Sequence, residues 1–201
     1  MKLSQSRRGF LLAVLAGACL LPSSVSTAAT TVLGSGPDSS FMVLQSPNLG
    51  ARTYEIKYTF SSGTSQDGYF LLSQVLASDP TLTAGIANYG TASNPNYFLN
   101  QFTYNSVTEV SVSSFPYAPY WAQWVSGGAA GYPSALPVAG GTWTSGSGMS
   151  APYRFIAPGS WDAFYYSDGR TAPSISPVPE TSSALLAVLG SMVIFRRRRN
   201  G

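Results

Sequence analysis

The sequence predicts a mainly β domain with one short helix, an antiparallel sandwich or a β-grasp-like roll, set between an N-terminal signal helix and a C-terminal membrane helix. Three observations predict it. Residues 29–176 are rich in Ser, Thr, Gly, Tyr and Phe and poor in charge, a composition suited to strands joined by tight turns. Tyr54, Ile56, Tyr58 and Phe60 alternate with Glu55, Lys57 and Thr59, the period of two of a half-buried strand. Tyr69, Leu72, Val75 and Leu76 break that rule and recur at helical spacing.

The chain has 201 residues, room for one domain plus targeting segments. Residues 1–28 have the parts of a signal peptide. Lys2, Arg7 and Arg8 form a positive start, and an apolar run follows from Phe10 to Leu21. As a helix that run spans only about 18 Å, too short for a membrane anchor. Ser26-Thr27-Ala28 offers small residues at the −3 and −1 positions, which places the cut after Ala28. Ser6-Arg7-Arg8-Gly9-Phe10-Leu11 resembles a twin-arginine signal, with Leu12 where a lysine is often found, and the general secretory route is the alternative. Ala16-Gly17-Ala18-Cys19 faintly resembles a lipoprotein box, but Cys19 reads better as a small apolar residue of the signal.

Within the body, strands are expected at residues 41–45, 52–60, 82–88, 97–104, 107–113, 121–125, 153–157 and 161–167. Gly, Pro, Asn or Ser clusters separate most of them. The helix is expected at residues 67–77, with Asp67 in its first turn and Asp79-Pro80 as its stop. Residues 127–148 carry seven glycines and read as a long loop anchored by Trp143. No internal repeat is evident.

The tail, residues 177–201, has three parts. Pro177 and Pro179 prevent a helix from extending backwards, because proline lacks the amide donor and clashes with the preceding turn. Residues 182–195 are apolar on nearly every face, through Leu185, Leu186, Val188, Leu189, Val193 and Ile194. Arg196, Arg197, Arg198 and Arg199 follow, a charge cluster retained on the cytoplasmic side. The run is shorter than the roughly 20 residues that span a bilayer unaided, but arginine snorkelling lengthens it.

Val178-Pro179-Glu180, then a short apolar helix, then terminal arginines resembles the PEP-CTERM sorting signal. Thr181 departs from the commonest Val-Pro-Glu-Pro form. The resemblance implies recognition by exosortase, a membrane protease-like transpeptidase of Gram-negative bacteria. It further implies removal of the tail near Pro179-Glu180 and delivery to the cell surface or extracellular matrix. It covers residues 177–200 and dictates address, not activity. The body loosely resembles secreted proteins of unassigned activity that bear this tail, through Tyr54-Glu55-Ile56-Lys57-Tyr58, Asp67-Gly68, Leu71-Leu72, Asp79-Pro80 and Gly159-Ser160-Trp161-Asp162.

Composition removes several function classes. The basic residues cluster at the two ends. Between residues 29 and 177 four basic residues face seven acidic ones, a net charge of −3, which argues against nucleic acid as the partner of the body. The chain has no histidine, and its one cysteine lies in the signal. The body therefore lacks a disulfide, a thiolate nucleophile, a histidine base and the usual zinc ligands. No calcium-loop pattern is present, and no cofactor or metal is expected. Without histidine, Gly146-Ser147-Gly148-Met149-Ser150 reads as a flexible turn and not as a hydrolase elbow.

Two chemistries stay open for the body. Trp121, Trp124, Trp143 and Trp161, with Tyr117, Tyr120, Tyr165 and Tyr166, could form a face that stacks on sugar rings, or could fill the core. A glycosidase needs only two flanking carboxylates, for which Asp162, Asp168, Glu55 and Glu109 are candidates. The expected function is a non-catalytic, exported surface or matrix protein associated with exopolysaccharide. The alternative is a carboxylate glycosidase acting on that polymer.

Overall fold

The computed structural model describes residues 29–61, 66–92, 94–114 and 118–177. The export signal with Arg7, Arg8 and Ala28, the sorting motif Val178, Pro179 and Glu180, and the cluster Arg196 to Arg199 lie outside them. The strands are β1 (Thr30–Gly34), β2 (Asp38–Ser46), β3 (Gly50–Tyr58), β4 (Leu82–Asn88), β5 (Tyr97–Tyr104) and β6 (Val107–Val110), followed by β7 (Tyr120–Ser126), β8 (Ala129–Ala130), β9 (Leu136–Pro137), β10 (Thr144–Ser145), β11 (Arg154–Phe155) and β12 (Trp161–Ser167). One helix, α1 (Gly68–Ser78), lies between β3 and β4. The described residues are thus mainly β with one short helix, as the composition predicts.

The principal sheet has six strands in the order β1-β3-β2-β12-β7-β10. It is mixed, not purely antiparallel: β1 runs parallel to β3, and β12 parallel to β2. Alternation reports which face a side chain takes but carries no information on strand direction. β1 itself escapes pattern reading because four of its five residues are exposed and only Leu33 reaches the core.

One face of this sheet presents Met42, Leu44, Tyr54, Ile56, Trp121 and Phe164. Against it pack Leu71, Leu72 and Val75 of α1, and a second antiparallel sheet in the order β4-β5-β6. Phe102 of β5 meets Trp121 edge-on at 4.9 Å and Phe164 at 6.2 Å, which locks the two sheets together.

The opposite face carries Val43, Ala122, Trp124, Trp161 and Ala163. The stretch after β12 folds back over it: the Trp143 indole N–H donates to the Ile175 carbonyl at 2.8 Å, and the Ser174 N–H to Gln45 Oε1 at 3.0 Å. Cover on both faces explains why Trp161, Asp162, Ala163 and Phe164 are buried in succession at the start of β12.

Helix α1 starts one residue after the expected Asp67. Asp67 is its N-cap, accepting from the Phe70 N–H at 2.8 Å, and Leu71, Leu72 and Val75 form the buried stripe. Residues 127–148 are more ordered than a loop. They contribute β8, β9 and β10, and a third small sheet forms in the order β11-β8-β9. The strand expected at residues 153–157 shrinks to the two residues of β11. Among the described residues, no helix is long and apolar enough to cross a membrane.

Candidate functional site

A cleft of about 520 Å³ opens where the second sheet meets the β7-β10 edge of the principal sheet. Its mouth is aromatic. Tyr89 and Phe98 meet edge-on at 5.5 Å, and Tyr120 lines it from β7. Phe98 and Tyr120 keep 38% and 37% of their surface in solvent, so their rings are available to a ligand. The register of β4 against β5 slips between Gly85 and Ile86, leaving Asn100 as an extra residue on β5. That bulge lets Leu99 and Phe102 both turn inward and gives Asn100 to the cleft wall.

The floor is the stretch from Gly146 to Met149. The Gly148 N–H donates to Gln123 Oε1 at 3.1 Å, and the Gly146 N–H to the Gln123 carbonyl at 2.9 Å. A Cβ on Gly146 would lie 2.6 Å from Gln123 Oε1, so a larger residue there would have to displace the Gln123 amide. The stretch expected to be a flexible turn is therefore a packed floor, with Met149 and Ser150 buried.

Beneath the floor lies a buried ion pair. Arg154 Nε and Nη2 both donate to Asp162 Oδ1, at 2.9 and 2.6 Å, and both side chains are fully buried. Gln123 Nε2 donates to the other carboxylate oxygen at 3.2 Å, and Arg154 Nη1 donates to the Gly127 carbonyl at 2.6 Å. Gly68 is small because a Cβ there would lie 2.5 Å from Asp162 Oδ2. One polar cluster thus fixes the helix start, the cleft floor and β12.

Asp67 completes the cluster, accepting from the Ala151 N–H at 3.0 Å as well as from Phe70. Burial pushes its carboxyl above the ordinary value of 3.8; the Phe70 and Ala151 amides oppose the shift, and the Asp162 charge adds to it. A raised folded value means the folded state holds this proton more tightly. The stabilising contribution is full below 3.8 and is lost as pH rises through the raised value. Asp67→Asn, which still caps a helix, is expected to flatten that part of the stability–pH curve. Urea midpoints of both proteins across the acid range check it.

The carboxylates named as glycosidase candidates sit in separate settings. Asp162 is buried and paired, and the exposed Asp168 lies six residues further on, just past the end of β12, where it accepts from the Arg170 N–H. At about 3.3 Å per residue the two are roughly 20 Å apart, well beyond the roughly 5–9.5 Å that glycosidase pairs require. Glu55 lies 3.8 Å from Lys57 on β3, and Glu109 is buried with Oε1 accepting from Asn48 Nδ2 at 2.7 Å.

The four tryptophans are separated by the sheet. Trp121 is 5% exposed on the inner face, its indole N–H donating to the Glu109 carbonyl at 3.0 Å. Trp124 and Trp161 are 9% and 7% exposed on the outer face, where Trp143 packs against them. Trp161 stacks on Phe41 at 4.2 Å. Trp121, Trp124 and Trp161 thus fill two cores, Trp143 is partly buried against the outer one, and Trp121 also forms part of the cleft wall. Tyr89 and Phe98, which sequence reasoning passed over, occupy the exposed positions instead. The alternation in Tyr97–Tyr104 carries a signal for Phe98, but the bulge blurs it. No protein-family model, curated protein or solved structure matches this chain.

Proposed function

We propose that the chain is an exported surface or matrix protein whose body binds neutral polysaccharide, without catalysis, in the cleft between β5 and β7. The observation that carries this reading is the lining of the cleft. Among the described residues it combines aromatic rings with neutral amide and hydroxyl groups from Asn100, Gln123, Ser111 and Ser145, and no charged side chain. Its volume falls in the range of small-molecule sites, and the chemistry matches a sugar, whose C–H face seeks an apolar ring and whose hydroxyls seek amides. The two packed sheets supporting it form an open sandwich. The proposed address rests on residues 1–28 and on the tail: Val178-Pro179-Glu180 for an exosortase, and Arg196 to Arg199 to hold the end in the cytoplasm.

Binding of the purified body to exopolysaccharide from the producing cell tests the first part. Retention on the polymer with no release of reducing ends is expected, and release of reducing ends would make the protein a hydrolase. Replacing Pro179 and Glu180 tests the second part. An accumulating membrane-bound precursor, matched by wild type in a cell without exosortase, is expected. Identical processing in both cells would make the tail an ordinary anchor.

A further inference from the structure

Away from the cleft mouth the most exposed large hydrophobic side chains among the described residues are Tyr132 and Leu136, 74% and 68% in solvent, in the β8–β9 turn and on β9. Tyr132 is not a stray ring. It stacks on Tyr153 with centroids 5.6 Å apart and planes 23° from parallel. The turn that carries it is tied down at both ends, by the Gly131 N–H to the Tyr153 carbonyl at 3.0 Å and the Ala135 N–H to the Pro152 carbonyl at 3.3 Å. A rigidly held ring facing water contributes little to the core, and a tyrosine pays little conformational entropy when it is contacted.

The pair adjoins the cleft. Gly148 belongs to the cleft floor, and a Cβ on it would lie 3.6 Å from both Cβ and Cδ2 of Tyr153. Gly148, itself buried, therefore adjoins both the cleft lined by Phe98 and Tyr120 and the Tyr153 side chain that stacks on Tyr132, which makes the two aromatic surfaces neighbouring parts of one strip. The strip is also uncharged: the sequence has no Asp, Glu, Lys or Arg from Gly127 to Tyr153. A phosphorylated or carboxylated polymer finds no cation there, whereas a neutral sugar chain finds successive ring faces.

We infer that the stacked Tyr132–Tyr153 pair is a second subsite, continuous with the cleft, and that the ligand is a neutral polysaccharide chain long enough to occupy both. The inference rests on the glycan reading of the cleft and extends it from one sugar site to a track. Each added stacking contact has a measurable effect on affinity, about three- to tenfold per ring by the strength of aromatic contacts.

The test is titration of the full body with size-graded cello-, laminari- and malto-oligosaccharides. Affinity is expected to climb with length past the oligomer that fills the cleft. Tyr132→Ala should remove that late gain, lowering affinity for long oligomers about three- to tenfold while leaving the shortest binder unchanged, and Tyr132→Phe should restore it. Phe98→Ala should weaken every length. If short oligomers bind but Tyr132→Ala shows no length dependence, the track is refuted and the cleft stands. If no oligosaccharide binds the wild type, the glycan reading itself falls, and the track with it. If Tyr132→Ala changes only self-association in sedimentation, the patch is a protein contact and the inference is overturned.

Discussion

Asp162→Asn is expected to lower the folding stability by about 3–5 kcal/mol, the usual cost of leaving one member of a buried ion pair without its partner. The asparagine keeps the shape of the side chain but removes the charge opposite Arg154, whose guanidinium has no route to water. The loss spreads beyond the pair, because Gln123 Nε2 also loses a carboxylate acceptor and the cleft floor depends on Gln123. Arg154→Met combined with Asp162→Leu should cost less than the two single changes added together, since no charge is then left buried. Urea unfolding of the four proteins measures both effects. A fully stable Asp162→Asn protein would mean that the ion pair does not hold this structure together. The same substitution separates a structural from a catalytic carboxylate, because a catalytic acid can be neutralised with little loss of fold.

Phe98→Ala and Tyr120→Ala should behave in the opposite way. Both rings are more than a third exposed, so stability is expected to change by only about 0.5 kcal/mol. Polysaccharide affinity should fall about tenfold for each, as a ring lost from a binding hot spot costs more than about 1 kcal/mol. Trp161→Ala supplies the contrast. It empties a packed position against Phe41 and should cost about 3–5 kcal/mol, with no ring removed from the cleft. Titration calorimetry alongside thermal unfolding distinguishes the two patterns, and equal losses of binding from Phe98→Ala and Trp161→Ala would undercut the cleft as the site.

Much of the fold is legible in the sequence, because local pattern and burial agree there. β4, β5 and β12 fall at the expected residues, and α1 begins one residue later than expected, after its Asp67 cap. What the pattern could not supply is direction and long-range pairing. The parallel contact of β12 with β2 joins segments over a hundred residues apart, and nothing in either strand's alternation encodes it. Of the candidate site, the sequence shows only the supply of side chains, many aromatic rings and no histidine. Which aromatics are exposed depends on tertiary packing, however, and tryptophan buries too much area to stay outside when a core position is available. Asp162 shows the same limit. In sequence it is one more carboxylate near a turn; only the fold brings Arg154 against it.

A structure of the body soaked with a neutral oligosaccharide places the ligand directly. A pyranose ring should lie in the cleft against Phe98 or Tyr120, with hydroxyls on Asn100 or Gln123 and the chain leading past Gly148 towards Tyr153. A ring seated instead on the outer face, against Trp124 and Trp143 with residues 172–175 displaced, would contradict the assignment of the cleft.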